Sequence, residues 1–292
     1  MKLKHRLLIK IASVVRSGNL AHFYKIKKDE RACPPFKLVF FCGEYGLNYL
    51  NASLVSVYKN WKKLPEICIV SDGTPIEKIR KGLIKWPKTV DIIPWEECAE
   101  HFKNNGNIDL YEYACKDLWG KKFVGINYCA QKFPTFYSDT DILWFSYPEI
   151  EELESGNPVI KMCQDVSHCY SNEMLEELRL IKLNECKPLN AGLIYSDGNF
   201  ASFEGWKSLC NYLAVKPDNR TEQTSFAILN DFFNPGNFFT LSEVLIKIDD
   251  EFSLKYTKNL YPEILARHYV HVKSTTFWRD FVYMLFRKST AL

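Results

Sequence analysis

An α/β fold built on a mostly parallel sheet is what this sequence predicts, and three observations predict it. Short apolar runs alternate with segments of helical periodicity between Phe36 and Trp95. Polar or glycine-containing stretches close those runs, as "FCGEYGLNY" and "SDG" show. Finally, 47% of the 292 residues are hydrophobic, enough for a substantial core. Aromatic residues make up 15% and charged ones 25%, ordinary for a folded protein apart from the aromatic excess.

The elements follow in order. Pro34 and Pro35 end whatever precedes them, because the residue before a proline is pushed out of the helical region. "FKLVFFC", Phe36 to Cys42, is the first strand. "EYGLNYLNASLVSVYKNW" is a helix, with Leu50, Leu54, Val57 and Trp61 at three- and four-residue steps. A second strand in "EICIVSDG" stops at Asp72–Gly73. "TPIEKIRKGLIKW" carries a proline near its start, as a first helical turn tolerates, and "TVDIIPW" is a third strand. From Glu96 to Gln131 the pattern is helical and mixed. "KFPTFYSD" is then a buried strand, with further strands at "NPVIKMC" and "AGLIYSD". Helices are predicted at "SNEMLEELRLIK", "FASFEGWKSLCNYL" and "TEQTSFAILNDFF". "ARHYVHV" reads as a strand and "TTFWRDFVYMLFRK" as an amphipathic or buried helix. No internal repeat interrupts this order. The expected organisation is a basic helix and linker over 1–35, one domain over 36–278 and a helical tail over 279–292.

Composition excludes several classes. Lys and Arg number 38 against 35 Asp and Glu, a net charge of +3, too balanced for a nucleic-acid-binding face. The ten cysteines stand singly, without a CxxC, so no paired zinc site is signalled. Several sit inside apolar runs, as in "EICIVSD", where a reduced cysteine acts as a small core residue. A reducing, cytoplasmic compartment is therefore expected. The first segment, "MKLKHRLLIKIASVVRSG", is too short and too charged to span a bilayer and lacks a small-x-small cleavage site. Leu3, Leu7, Ile11 and Val14 fall on one helical face. Such a helix packs on the domain or attaches to an anionic membrane surface. The same two readings hold for Phe277, Trp278, Phe281, Met284, Leu285 and Phe286 in the tail, with Arg279, Arg287 and Lys288 among them. Core packing is the favoured reading of both termini, and peripheral contact at the inner face of a membrane is the alternative.

The stretch "KFPTFYSDTDILWFSYP", Lys132 to Pro148, puts Asp139 and Asp141 one residue apart after an aromatic run. In a strand, residues i and i+2 point to one side, so both carboxylates would face one point. Two hard oxygen ligands suit Mg²⁺ or Mn²⁺, which keep positions open for phosphate oxygens. A turn is the competing reading, since Ser, Asp and Thr favour turns. Ligands of open α/β sheets bind outside the carboxyl ends of strands. Asp72 closes the second strand, and the aspartate pair closes a later one.

Together these stretches give the chain a resemblance to the GT-A glycosyltransferases, above all the retaining, glycogenin-like group that uses nucleotide-diphosphate sugars. It covers roughly Lys37 to Trp278. It rests on the order of "LVFFCGEYGLNYLNASLVSV", "FPTFYSDTDILW", "LNAGLIYSD", "TEQTSFAILNDFF" and "ARHYVHVK". The resemblance implies a UDP-sugar donor and Mn²⁺ or Mg²⁺ held by Asp139, Asp141 and His268. It places Phe41, Cys42 and Tyr49 near base and ribose, with Asp139 also at the ribose. Asn190, Ala191 and Gly192 would face the donor sugar, Gln223 the anomeric carbon and Asp165 the sugar hydroxyls. His271, three residues after His268, would face the opposite side of a strand.

The chain departs from the family in two places. Glu222–Gln223 stands where the family has Asp-Gln. His271 stands where glycine is usual, and "KSTTFW" replaces a Lys-Pro-Trp ending, which leaves Lys273 as the phosphate contact on a changed background. The function implied is metal-dependent transfer of a sugar, with retention, to a glycan, lipid-linked or protein acceptor. The alternatives are a sugar-1-phosphate nucleotidyltransferase, whose basic phosphate loop "FFCGEYGLNYLN" lacks, and a non-catalytic sugar-nucleotide or glycan-binding protein.

Overall fold

The computed structural model describes residues 10, 13–14, 20–150, 158–246, 255–270 and 275–287. Its strands are β1 (Lys37–Cys42), β2 (Ile67–Ser71), β3 (Val90–Pro94), β4 (Thr135–Ser138), β5 (Ile142–Trp144), β6 (Val159–Gln164), β7 (Leu189–Asp197), β8 (Phe238–Phe239), β9 (Val244–Ile246) and β10 (Ala266–His268). The helices are α1 (Leu20–Phe23), α2 (Leu47–Asn60), α3 (Ile76–Gly82), α4 (Trp95–Asn104), α5 (Ile108–Lys116), α6 (Leu118–Lys132), α7 (Asn172–Glu177), α8 (Trp206–Val215), α9 (Thr221–Phe233), α10 (Thr257–Leu260) and α11 (Thr275–Phe286).

Seven strands form the main sheet in the order β3-β2-β1-β4-β7-β6-β8. β3, β2, β1 and β4 run parallel; β7 runs against both β4 and β6, and β8 is parallel to β6. The sheet is thus mostly parallel with one reversed strand. This reversal matters for the site. The carboxyl ends of β1, β2, β4 and β6 and the amino end of β7 all meet at one edge.

Burial alternates along β1 as the pleat demands. Leu38, Phe40 and Cys42 enter the core on one face of the sheet, and Val39 enters the core on the other. The first core packs the sheet against α2, β5, β9 and α11; the second packs it against α4, α5, α6, α8 and α9. Both faces are covered, and the runs of β2 and β4 are buried throughout.

A second, three-stranded sheet of order β5-β10-β9 lies beside the first. β10 pairs antiparallel with β5 and parallel with β9. Its strands have three residues each, too short to show a period. Two bonds fasten β5 to α2: the Trp144 amide donates to Ser56 Oγ at 2.9 Å, and Asn60 Nδ2 donates to the Trp144 carbonyl at 2.8 Å.

Some expectations change. "SNEMLEELRLIK" is not one helix: α7 ends at Glu177, Arg179 takes φ 58°, and a 3₁₀ turn follows over Ile181–Glu185. "ARHYVHV" is a strand only over Ala266–His268; residues 271–274, which include His271 and Lys273, lie outside the described residues. Most of the basic N-terminal segment, with Leu3, Leu7 and Ile11, lies outside them too. α11 runs across the expected 278/279 division as one helix. Among the described residues, no helix is long and apolar enough to cross a membrane. All ten cysteines are free thiols.

Candidate active site

The aspartate pair lies in a turn, which corrects the strand geometry expected for it. β4 ends at Ser138, and the Ile142 amide donates back to the Asp139 carbonyl at 3.3 Å before β5 leaves for the second sheet. The turn is pinned on both sides. The Asp139 amide donates to the Gly192 carbonyl at 2.7 Å, and the Asp141 carbonyl accepts from the Tyr269 amide at 3.1 Å. Turn chemistry and convergence of the two carboxylates are therefore one feature.

His268 completes the cluster. β10 pairs His268 with Ile142, so the imidazole is delivered next to the turn by sheet register. Its Nε2 lies 3.3 Å from Asp141 Oδ1 and 3.6 Å from Asp139 Oδ2. One ligand atom from each of the three residues falls within 4.8 Å of the others. Two atoms held about 2.1 Å from a common ion, at roughly 90–120° to one another, lie about 3.0–3.6 Å apart, so these separations fit a small divalent cation. Burial opposes protonation of His268, but the Asp141 and Asp139 carboxylates outweigh it and hold the imidazole above its ordinary value. Two carboxylates and an imidazole thus converge where one positive charge is called for, whether proton or cation. Asp, Asp and His are also the donor set that Mn²⁺ and Mg²⁺ accept.

Gly192 makes room for this imidazole. A Cβ there would stand 2.2 Å from His268 Cε1 and 2.5 Å from Nδ1, and Nδ1 itself is buried without a hydrogen-bond partner among the described residues. Asn190 shapes the approach: its Oδ1 accepts from the Gly192 amide at 2.8 Å, and its Nδ2 donates to Asp165 Oδ2 at 2.8 Å. Asp165 Oδ1 accepts from the Val166 amide at 2.7 Å. Asp165 thus stands one bond behind Asn190 at the end of β6.

Sequence reasoning missed Lys122. Its ammonium is buried and lies 3.1 Å from Asp139 Oδ1 and 3.2 Å from Glu222 Oε1, and it donates to the Ala191 carbonyl at 3.1 Å. Burial works to lower its pKa, but Asp139 and Glu222 prevail and hold it above the ordinary lysine value. Burial pushes the Glu222 carboxyl up to about 7 against the opposing pull of Lys122. The signal was available: Lys122 shares the stripe of Gly125, Ile126 and Cys129, the buried face of α6. A lysine on such a stripe needs carboxylate partners. The Tyr137 hydroxyl adds a further donor to Asp139 Oδ1.

These side chains line one cleft of about 390 Å³, with Asp139, Asp141, Asn190, Ala191, Gly192, Glu222, Gln223 and His268 all on its wall. Gln223 Nε2 is buried without a partner among the described residues. Trp119, Cys169 and Arg220, none of them singled out by the sequence, also reach it.

Phe41, Cys42, Tyr49 and Asp72 are not among the residues lining this cleft. Phe41 is partly buried against the second core. Cys42 Sγ donates to the Gly43 carbonyl at 3.2 Å, and burial raises its thiol pKa. Asp72 Oδ1 accepts from the Thr74 amide at 2.9 Å and hydroxyl at 2.8 Å, closing its own turn. A Cβ at Gly43 would fall 1.9 Å from the Asp72 carboxylate, so a larger residue there would displace that carboxylate from its turn. Tyr49 is buried, its ring centroid 4.9 Å from Phe277 and 5.2 Å from Trp278, so it joins α2 to α11 instead of lining the cleft.

A mostly parallel sheet with one reversed strand and a small second sheet beside it are the arrangement of the GT-A fold. Among solved structures the chain is similar to mouse xyloside xylosyltransferase 1, with TM-score 0.51 and 10% identity over 82% of this chain and 98% of that one. It is also similar to the galactosyltransferase LgtC in complex with donor and acceptor sugar analogues, with TM-score 0.50 and 14% identity over 85% of this chain and 95% of that one. A third likeness is to the bifunctional glycosyltransferase WbbM, with TM-score 0.55 and 12% identity over 91% of this chain and 52% of that one. At these identities the likeness is one of fold. No protein-family model matches the sequence, and no curated protein matches it.

Proposed function

We propose that the protein is a cation-dependent glycosyltransferase that moves a hexosyl group from UDP to an acceptor hydroxyl with retention. The observation that carries this reading is the convergence of Asp139, Asp141 and His268 at the strand edge, with buried Lys122 beside Asp139. Mn²⁺ or Mg²⁺ would be held by those three side chains. When bound, the cation supplies charge neutralisation for the departing diphosphate.

The chain's own residues supply the rest. Lys122 holds a second positive charge at the same place. It also fixes the Ala191 carbonyl and so the backbone that faces the sugar. Asp165 and Asn190 brace that backbone and offer their remaining lone pairs and N–H to sugar hydroxyls. Gln223, whose Nε2 has no partner among the described residues, lines the cleft and would stand beside the reacting carbon. In the transfer, the bond from anomeric carbon to diphosphate oxygen breaks and its electron pair leaves with UDP. The acceptor oxygen forms the new bond on the same face, and its proton passes to the departing phosphate oxygen. The acceptor is a glycan, a lipid-linked sugar or a protein hydroxyl; Trp119 at the cleft suits stacking on a sugar face.

The direct test measures UDP release from UDP-sugars with Mn²⁺, and again after chelation. Release that chelation abolishes, and that Asp139→Asn and Asp141→Asn each reduce at least a hundredfold, is expected. Release that ignores both the chelator and the two substitutions would sink the reading.

A further inference from the structure

β10 has two faces. His268 points toward the acidic turn, while its neighbours Arg267 and Tyr269 point the other way, as alternation along a strand requires. On that second face stands Asp280 of α11, with no exposed surface. Its Oδ2 accepts from the Tyr269 hydroxyl at 2.7 Å, from Arg279 Nη2 at 2.8 Å and from the Thr257 hydroxyl. Its Oδ1 accepts from the Thr257 amide and from Arg279 Nε, both at 3.1 Å. Arg267 Nη1 lies 3.7 Å from Oδ2 and donates to Thr257 Oγ1 at 2.7 Å. The Arg267 guanidinium also sits 4.7 Å from the centre of the Tyr269 ring.

Tyr269 joins this hub to the acidic turn. Its hydroxyl holds Asp280, and its amide donates to the Asp141 carbonyl. The ring packs on Phe277 of α11 at 5.2 Å between centroids. The residues on either side of His268 are therefore both tied to one buried carboxylate of the C-terminal helix. Asp141 is tied to the same hub through one further backbone bond.

We infer that Asp280 is a positioning residue: through Arg267 and Tyr269 it fixes where His268 stands relative to Asp139 and Asp141, making α11 part of the cation site. This inference rests on the cation-binding reading above. Buried polar groups with every lone pair engaged hold one geometry, and partners behind a metal ligand tune affinity without touching the ion.

The test uses the full chain and reads Mn²⁺ affinity from the loss of the free-ion electron paramagnetic resonance signal, with thermal melting of the same samples. Tyr269→Phe removes a single hydroxyl from the hub, Asp280→Asn removes its charge, and His268→Ala removes the ligand. Leu213→Ala, in fully buried core outside the cleft, is the control for lost stability alone. Expected is Mn²⁺ binding weakened about tenfold by Tyr269→Phe and by Asp280→Asn, and further by His268→Ala, with Leu213→Ala unchanged. If Asp280→Asn does not fold, Tyr269→Phe decides. Wild-type binding with Tyr269→Phe at full affinity overturns the inference and leaves the cation reading standing. A wild type that binds no Mn²⁺ overturns both.

Discussion

At Gly192 one hydrogen atom decides whether His268 can stand where it does. Gly192→Ala would drive a methyl into the ring, 2.2 Å from Cε1. The backbone there is held by Asp139 and Asn190, so the imidazole must yield. Mn²⁺ affinity should fall about tenfold or more while the protein still melts cooperatively, which calorimetry with and without Mn²⁺ would show. Lys122 makes the opposite case, a charge whose removal strands others. Lys122→Met would leave Asp139 and Glu222 without their shared cation, and such a loss costs about 3–5 kcal/mol. Glu222, already pushed up to about 7, can escape by taking a proton. The loss should therefore be smaller at pH 5.5 than at pH 8 in urea unfolding; an equal loss at both would contradict the assignment.

At the scale of elements, α11 is held at its end as well as at Asp280. Lys59 of α2 donates to the carbonyls of Met284, Leu285 and Arg287, the last at 2.6 Å, and so satisfies groups that the helix end leaves open. Lys59→Met should lower stability by about 1–3 kcal/mol, measured by urea unfolding; a change below about 0.5 kcal/mol would count against the cap. The uneven legibility of the sequence also belongs at this scale. β1, β2, β6 and α9 carry four or more residues of clear period or apolar run, and their places could be read directly. β5, β9 and β10 have three residues each, so the sheet that brings His268 beside Asp141 left no periodic trace. Asp139 and Asp141 were legible as a pair, but their geometry was not. Local sequence does not distinguish a turn from a strand when the deciding bonds come from Gly192 and Tyr269, far along the chain. Lys122 was legible as a lysine on the buried stripe of α6, but its partners were not, since they lie in β4's turn and in α9.

For the whole molecule, the cleft couples folding to pH. Two buried groups there take up protons more readily in the folded chain: Glu222, raised from 4.5 to about 7 by burial, and His268, held above 6.5 because Asp141 and Asp139 outweigh burial. A group whose folded pKa is raised stabilises fully below its unfolded pKa and loses that contribution as pH rises through the folded value. For Glu222 the decline spans about pH 4.5 to 7; for His268 it begins near 6.5 and continues above. Both act in one direction, so without divalent cations the melting temperature should fall between pH 5 and 8. Glu222→Gln should flatten the lower half of that decline, and His268→Gln the upper half. On the proposed cation site, a bound cation would take the place of the His268 proton, so ion and proton would compete. The rise in melting temperature produced by a fixed Mn²⁺ concentration should therefore be small at pH 5.5 and several-fold larger at pH 8. Calorimetric scans at both pH values, with and without Mn²⁺, make the comparison. A stabilisation that is the same at both, or one that His268→Gln leaves intact, would place the cation elsewhere than on Asp139, Asp141 and His268.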